Sequence, residues 1–352
     1  MELLNQTIRA IGEVDGKARA SAKERLDQLI MPHWALGRLL DLALDLAGIC
    51  GTRTPSLARK TIVVMAGDHG IVASGVSLYP QDVTKEMVRG FVNGVAGINV
   101  LARQAGAAVK VVDMGIAGDL GGLDSAALID RKIAPGTADF SRQPAMTRQQ
   151  AVAALEAGIA VARDLADTTD LFGTGDMGIG NTTPSSAMAA TLCGRPVAEV
   201  TGRGTGLNDE QLQRKVAVIE AALRLHQPDP DDPLDVLSKV GGFEIAGIAG
   251  LILGAAALRK PVVVDGFIST VGALLAVRLA PLSRGYMIAA HRSVEQGQLA
   301  ALAELGKEPL LDLGFRLGEG TGAAVAMNLV DGAVAIMTEM ATFSEAAVSG
   351  AQ

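Results

Sequence analysis

Short apolar runs alternate with helix-length amphipathic stretches after residue 60, and this alternation constrains the fold more than any other feature of the chain. The runs are predicted to be buried strands and span residues 61–66, 108–113, 170–173, 261–265 and 286–290. The stretches predicted to be helices between them include residues 83–105, 147–167, 210–225 and 243–258. Strand–helix alternation implies right-handed crossovers, so we expect an α/β fold with a doubly wound parallel sheet.

Both ends of the chain are predicted to be helical. Residues 1–50 look helical, with apolar side chains recurring every three or four positions through residues 26–49, and residues 322–341 form one last helix. The chain of 352 residues is long enough for about two domains. We therefore expect an α/β domain over residues 56–321 and a small helical domain formed by residues 1–55 and 322–352.

Composition excludes several classes of protein. The 31 basic and 38 acidic side chains give a net charge of −7, which argues against a nucleic-acid-binding protein. The only two cysteines, Cys50 and Cys193, provide neither a disulfide framework nor zinc-ligand spacing. The most lipid-like stretch, residues 245–258, is too short to span a bilayer and is interpreted as a buried helix. The charged N-terminal segment has no apolar core of a signal peptide, so we expect a cytoplasmic protein without a membrane partner.

Glycine-rich polar segments follow several predicted strands, where ligands bind in open α/β sheets. The most informative is Gly173-Thr-Gly-Asp-Met-Gly-Ile-Gly-Asn-Thr-Thr-Pro. Its glycines allow close approach of a ligand, and Thr182 or Thr183 is expected to cap a helix whose first residue is Pro184. Such a helix N-terminus favours an anion. An ordinary glycine turn is the alternative.

Other candidate residues each have two interpretations. Arg203 and Lys215 either neutralise a phosphate or are solvated surface charges. Glu319, between glycines, either favours the start of the following helix or is a base held in a cleft. Asp265, at a strand end, suits a ribose hydroxyl pair.

Asp68-His69 follows the first predicted strand. The two side chains are interpreted as an acid/base or metal pair, or else as a turn hydrogen bond and packing support. The chain has only four histidines and no HxH or HExxH, so we expect no metal.

Six segments, in order along the chain, resemble the nicotinate-nucleotide–dimethylbenzimidazole phosphoribosyltransferase family. They are Val64-Met-Ala-Gly-Asp-His-Gly, Ile98-Asn-Val-Leu-Ala-Arg-Gln, Gly175-Asp-Met-Gly-Ile-Gly-Asn-Thr-Thr, Gly202-Arg-Gly-Thr-Gly-Leu, Val264-Asp-Gly-Phe-Ile-Ser and Arg316-Leu-Gly-Glu-Gly-Thr-Gly-Ala. The resemblance implies a Rossmann-like sheet domain with a small helical domain built from both termini, and a homodimer.

The resemblance also implies the reaction. The 5-phosphoribosyl group of nicotinate mononucleotide moves to a benzimidazole, giving α-ribazole 5′-phosphate and nicotinate for the assembly of cobalamin. Nicotinate leaves from a positively charged pyridinium, so no general acid is required. There is no pyrophosphate to neutralise, so we expect no metal and no cofactor. The family's general base corresponds to Glu319. Its phosphate-binding loop corresponds to residues 175–181 and its phosphate-binding lysine to Lys215.

Site residues follow from the matching segments. Those expected to be catalytic are Glu319 and Asp176. Those expected to hold the phosphate or ribose are Gly175, Gly178, Ile179, Gly180, Asn181, Thr182, Gly202, Arg203, Gly204, Lys215 and Asp265. Those expected to bind the base are Tyr79, Gln81, Met87, Met177, Arg316 and Leu317.

The chain departs from the family pattern at a few positions. Asp176 stands where the family usually has glutamate, Tyr79 where serine is common, and Met87 where glutamine is common. Tyr79, Met87 and Trp34 are therefore expected to reshape the aromatic pocket and to alter the preferred base. A nicotinamide-dependent oxidoreductase and a catalytically silent nucleotide sensor are the alternative functions.

Overall fold

A computed structural model describes residues 1–123 and 126–349. Six parallel strands form one sheet in the order β3-β2-β1-β4-β5-β6. The strands are β1 Lys60–Gly67, β2 Ala107–Gly115, β3 Leu128–Asp130, β4 Leu171–Met177, β5 Val262–Val264 and β6 Met287–Ala289. The predicted doubly wound parallel sheet is confirmed.

Strand predictions differ from the structure at two places. The run at residues 170–173 overlaps the start of β4, which continues to Met177 and so includes the first five residues of the glycine-rich segment. Strand β3 was not predicted, because it has three residues at the sheet edge and only partly buried side chains. A short edge strand has no apolar run long enough to recognise.

Helices surround the sheet. They are α1 Glu2–Ala10, α2 Gly16–Leu26, α3 Arg38–Cys50, α4 Asp82–Val92, α5 Gly97–Gln104, α6 Arg148–Asp164, α7 Thr182–Cys193, α8 Val197–Val200, α9 Asp209–His226, α10 Pro233–Val240, α11 Phe243–Ala257, α12 Phe267–Leu279, α13 Gly297–Leu305 and α14 Thr321–Glu339.

The predicted helix over residues 83–105 is two helices. After α4 the chain turns at Gly94, whose φ is +76°, and α5 begins after Ala96, whose N–H donates to Asn99 Oδ1. The apolar period survives the break because Phe91 and Ile98 bury against the same core. This break creates a helix N-terminus beside the site described below.

Two other helix predictions are corrected. Residues 27–37, within the predicted stretch 26–49, form turns between α2 and α3. Helix α7 begins at Thr182 rather than Pro184, and Asn181, rather than Thr182 or Thr183, is its N-cap.

Alternating side chains of the central strand β1 are buried in two apolar cores, one on each face of the sheet. In β1, Ile62 and Val64 belong to the core shared with α3, α5 and α14, whereas Val63 and Met65 face α6 and α11. Helices α6 and α11 approach so closely that a Cβ on Gly158 would lie 2.1 Å from the Gly247 carbonyl oxygen, so only glycine fits at this position. The high glycine count is thus partly a packing requirement.

The C-terminal helix shares one face of the sheet with α2 and α3, but not with α1. Helix α14 packs against α2 and α3, as the predicted small domain requires, but it also packs against β4 and β5. Helix α1 packs instead against α6 and α11, on the opposite face. The boundaries at residues 55 and 322 coincide with no change of core, and the domain division stays a prediction.

Within the described ranges one helix, α14, is long and apolar enough to cross a membrane, although half of it is buried in the protein. Its fully buried side chains include Met327, Val330 and Met337. We interpret α14 as a core helix. The stretch at residues 245–258, which the sequence suggested as the most lipid-like, lies mostly in α11 and is buried as predicted.

Candidate active site

A cavity of about 800 Å³ opens beyond the carboxyl ends of β1 and β4. The chain order reverses between these neighbouring strands, and such a switch point is where open α/β sheets bind ligands. Apolar side chains on its wall are Val76, Tyr79, Val100, Leu101, Met177, Ile179, Phe267, Ile268, Phe315 and Leu317. Polar residues on its wall include Asn181, Thr182, Thr205, Ser293 and Glu295.

Glu319 lies directly behind the cavity wall, between the lining residues Gly318 and Thr321, and is 4% exposed. Its Oε2 atom accepts a hydrogen bond of 3.1 Å from the Ile98 N–H, at the N-terminus of α5. Burial raises the pKa of this carboxyl, and the nearby Asp265 raises it further. Glu319 therefore favours the start of α5, rather than of α14, and has the environment of a base.

The loop around Glu319 is held in an unusual conformation. Glu319 has a φ of +65°, and its N–H donates to the Asp176 carbonyl oxygen at 3.2 Å. A Cβ on Gly175 would lie 2.4 Å from the Glu319 carbonyl oxygen, so this glycine is required for the loop to lie against β4. Gly175 does not line the cavity, and its contact with the phosphate stays a prediction.

Asp176, at the end of β4, lines the cavity and is 5% exposed. Its Oδ2 accepts from Asn181 Nδ2 at 3.0 Å, while Oδ1 is buried without a hydrogen-bond partner among the described residues. Burial raises its pKa to about 8, helped by the charge of Asp265. Asp176 is accordingly mostly protonated at neutral pH.

The polar part of the cavity has the features of an anion site. Gly180, Asn181 and Thr182 lie at the N-terminus of α7, where the helix dipole favours negative charge. The fully buried Lys215 donates a hydrogen bond of 2.7 Å to Thr182 Oγ1. Burial lowers the pKa of Lys215 to about 8. Lys215 is thus not the solvated surface charge that the sequence left open.

The residues of the second glycine-rich loop, residues 201–206, do not all reach the cavity. Gly204 lines the cavity, and its N–H donates to Glu295 Oε1 at 2.9 Å. Gly202 is buried under the Glu295 carboxylate and does not reach the cavity. Arg203 points to solvent, where it pairs with Asp209 and the Leu207 carbonyl oxygen. Arg203 is therefore a surface charge in this structure, the second of the two interpretations that the sequence left open.

Asp265 is fully buried and does not line the cavity, although Gly266 does. Both of its carboxylate oxygens accept backbone N–H groups, Oδ1 from Ala323 at 2.9 Å and Oδ2 from Gly320 at 3.2 Å. Its contact with a ribose stays a prediction.

Asp68 and His69 lie beneath the glycine loop and are both buried. His69 Nε2 is 3.0 Å from Glu244 Oε1, and a Cβ on Gly178 would lie 3.1 Å from that nitrogen. Burial lowers the pKa of His69, but the Glu244 carboxylate outweighs this and raises it. Asp68 Oδ2 accepts from the Ala117 N–H at 2.7 Å. The pair matches the supporting interpretation, and no cluster of three potential metal ligands exists in residues 1–123 and 126–349.

Comparison with known proteins decides the family. A phosphoribosyltransferase family model matches residues 11–348. Proteins named nicotinate-nucleotide–dimethylbenzimidazole phosphoribosyltransferase include one from Syntrophotalea carbinolica, 62% identical over 99% of both chains, and one from a Roseiflexus species, 58% identical over 99% of both. A crystal structure under that name from Thermus thermophilus has a TM-score of 0.90 and 46% identity, covering 96% of this chain and 100% of its own.

The chain belongs to the nicotinate-nucleotide–dimethylbenzimidazole phosphoribosyltransferase family. It is therefore an enzyme of the pentosyltransferase class, and the resemblance found in the sequence is confirmed. The oxidoreductase and silent-sensor alternatives are set aside.

The residues predicted to bind the base in this family member divide into two groups. Tyr79, Met177, Arg316 and Leu317 line the cavity. Gln81 is the N-cap of α4, and Met87 packs in the core beneath that helix; neither is part of the cavity wall. Trp34, expected to reshape the pocket, is also outside the wall and stacks near His33.

The cavity residues that sequence reasoning missed include His291, Ser293 and Glu295. They follow β6, so the strand-end rule that singled out the earlier loops would have found them. Their segment contains no glycine before Gly297, and glycine-rich sequence is the signal that marked the other loops.

Proposed function

We propose that the protein transfers the 5-phosphoribosyl group of nicotinate mononucleotide to 5,6-dimethylbenzimidazole or a related base. The products are α-ribazole 5′-phosphate and nicotinate, and the role is assembly of the lower ligand of cobalamin. One observation carries the proposal: a buried carboxylate, Glu319, lies beside a cavity that also contains the anion site formed by α7 and Lys215. The printed names of the relatives support the choice of substrates.

In this proposal Glu319 is the general base. One benzimidazole nitrogen attacks C1′ of the ribose while the proton on the other nitrogen moves to the Glu319 carboxylate. The C1′–nitrogen bond to nicotinate breaks, and its electron pair neutralises the pyridinium, so no general acid is needed. Attack opposite the leaving group inverts C1′. Burial of Glu319 suits this role because it raises the pKa of the carboxyl towards neutral pH.

The phosphate is proposed to sit at the N-terminus of α7. Backbone N–H groups at this helix start, those of Gly180 and Thr182, and the Lys215 ammonium would fix it and so position C1′ against the base. Asp176, whose pKa burial raises to about 8, is largely protonated at neutral pH. It is better suited to donate a hydrogen bond to the bound nucleotide.

The reaction needs neither a metal nor a cofactor in this proposal. A homodimer is supported by exposed apolar side chains near the cavity mouth, among them Val95, Val100 and Leu317. A cytoplasmic location is supported by the two free cysteines, Cys50 and Cys193.

The test is nicotinate release from nicotinate mononucleotide, with and without dimethylbenzimidazole, in metal-free buffer. In Glu319→Gln the amide oxygen still accepts the Ile98 N–H, so the fold is retained while the base is lost. We expect kcat to fall by about 10²–10⁴. Glu339→Gln, at the exposed end of α14, is the matched control and should keep full activity.

If Glu319→Gln still releases nicotinate at the wild-type rate, the reaction stands but a residue other than Glu319 is the general base. No release with dimethylbenzimidazole or several other aromatic bases would refute the proposed function.

A further inference from the structure

The last helix begins with a cap that comes from a distant strand. The N-cap residue of α14 is Gly320, which has no side chain to satisfy the first N–H groups of the helix. Asp265, directly after β5, supplies the missing acceptors through its bonds to the Gly320 and Ala323 N–H groups. Because this cap is fully buried, water cannot replace it.

The cap acts on the residue next to it, Glu319. Three consecutive residues, Gly318, Glu319 and Gly320, have φ values of +78°, +65° and +95°. Glutamate rarely adopts this left-handed conformation, so surrounding bonds must hold it. The bond from Glu319 N–H to Asp176 O holds one side of the segment, and Asp265 holds the other.

His291 lies beside Asp265, on the cavity side. Its Nε2 is 3.7 Å from Asp265 Oδ1, too long for a hydrogen bond but within ion-pair range when the ring is protonated. The ring packs on the first turn of α14, where a Cβ on Gly322 would lie 1.9 Å from its Cδ2. The other titratable groups that act on this region, Asp176 and Glu319, are both acids.

We propose that Asp265 is a positioning residue of the transfer reaction: with the His291 ring packed beside it, it clamps the start of α14 and thereby holds the Glu319 carboxylate in place to take the proton. This inference rests on the proposed function and gives Asp265 a task other than binding the ribose. Both of its oxygens are already engaged, and Asp265 itself does not line the cavity, although its neighbours Gly266 and His291 do.

Asp265→Asn tests the clamp with minimal change in shape. The amide oxygen accepts one N–H, but the amide nitrogen then faces the other N–H, donor against donor. Because a displacement of about 1 Å costs about 100-fold in rate, we expect kcat to fall 10- to 100-fold. The KM for nicotinate mononucleotide should change less than about twofold, since no substrate contact is removed.

Two further readouts separate positioning from general loss of structure. Deuterium uptake at residues 320–323, measured without substrate, should accelerate in Asp265→Asn. The acid limb of kcat should move to lower pH, because Asp265 raises the pKa of Glu319 and its charge is gone. His291→Gln should change kcat in the same direction, and the double variant should be no worse than Asp265→Asn alone.

Asp232→Asn is the matched control, because Asp232 caps α10 in the same way, accepting the Leu234 and Asp235 N–H groups away from the cavity. It should lose stability and keep kcat. A raised KM with unchanged kcat in Asp265→Asn would overturn the proposal in favour of a ribose contact. Unchanged deuterium uptake would overturn the clamp whatever the activity, whereas absence of transfer in the wild type refutes only the proposed function.

Discussion

Lys215 is a lysine that the protein buries at a cost to its own stability, and replacing it should make the free enzyme more stable. In the folded chain its pKa is about 8 compared with 10.5 in the unfolded chain. That difference corresponds to about 3 kcal/mol. Its Nζ has one hydrogen bond, to Thr182, worth about 1 kcal/mol. Lys215→Met, similar in length and apolar, should therefore stabilise the free enzyme by about 2 kcal/mol at pH 7.

The sign of the pH dependence follows from the lowered pKa. Below pH 8 the lysine is charged in both states, and the folded state carries the whole desolvation penalty. Between pH 8 and 10.5 the folded state loses its proton before the unfolded state does, so the penalty shrinks. The advantage of Lys215→Met should thus be largest at pH 7 and nearly absent near pH 10.5.

Urea denaturation at pH 7 and pH 10, without ligands, measures this difference. Inorganic phosphate should then raise the stability of the wild type but not of the variant, because the buried ammonium is the cation of the anion site. Lys60→Met is the matched control: Lys60 is also buried, but it pairs with Asp331 and the Ala105 carbonyl oxygen, so its loss should destabilise the protein. A Lys215→Met variant less stable than the wild type at pH 7 would refute the argument.

Three other outcomes are expected. The rate should fall as pH drops through the pKa of Glu319, which burial raises, so the acid limb of the kcat profile should lie above pH 4.5, the ordinary value for glutamate. Gly175→Ala places a methyl group 2.4 Å from the Glu319 carbonyl oxygen and should lower both kcat and, by about 1–3 kcal/mol, stability in thermal unfolding; unchanged values would show that the loop moves freely. Because Tyr79 lines the cavity, the relative rates with dimethylbenzimidazole and a hydroxylated benzimidazole in competition should differ between the wild type and Tyr79→Ser. Equal rate ratios in the two enzymes would show that Tyr79 does not determine the choice of base.

Local patterns in the sequence determined the fold class and the region of the site. The apolar runs that became β1, β2, β5 and β6 were recognisable because strands buried on both faces need uninterrupted apolar side chains. Parallel strands place their carboxyl ends along one edge, so the glycine-rich segments after them had to meet there. Glu319 and Lys215 were identified as site residues through the resemblance of their segments to a known family.

Tertiary structure alone decided what those residues do to one another. The break between α4 and α5 leaves no mark on the apolar period, yet it creates the helix N-terminus that receives the Glu319 carboxylate. Asp265 looked like a ribose ligand by position, but packing of α14 against β5 directs both its oxygens to backbone N–H groups. Sequence periodicity reports only the nearest few residues, whereas burial, pKa and hydrogen-bond partners depend on segments that are distant in the chain and adjacent in space.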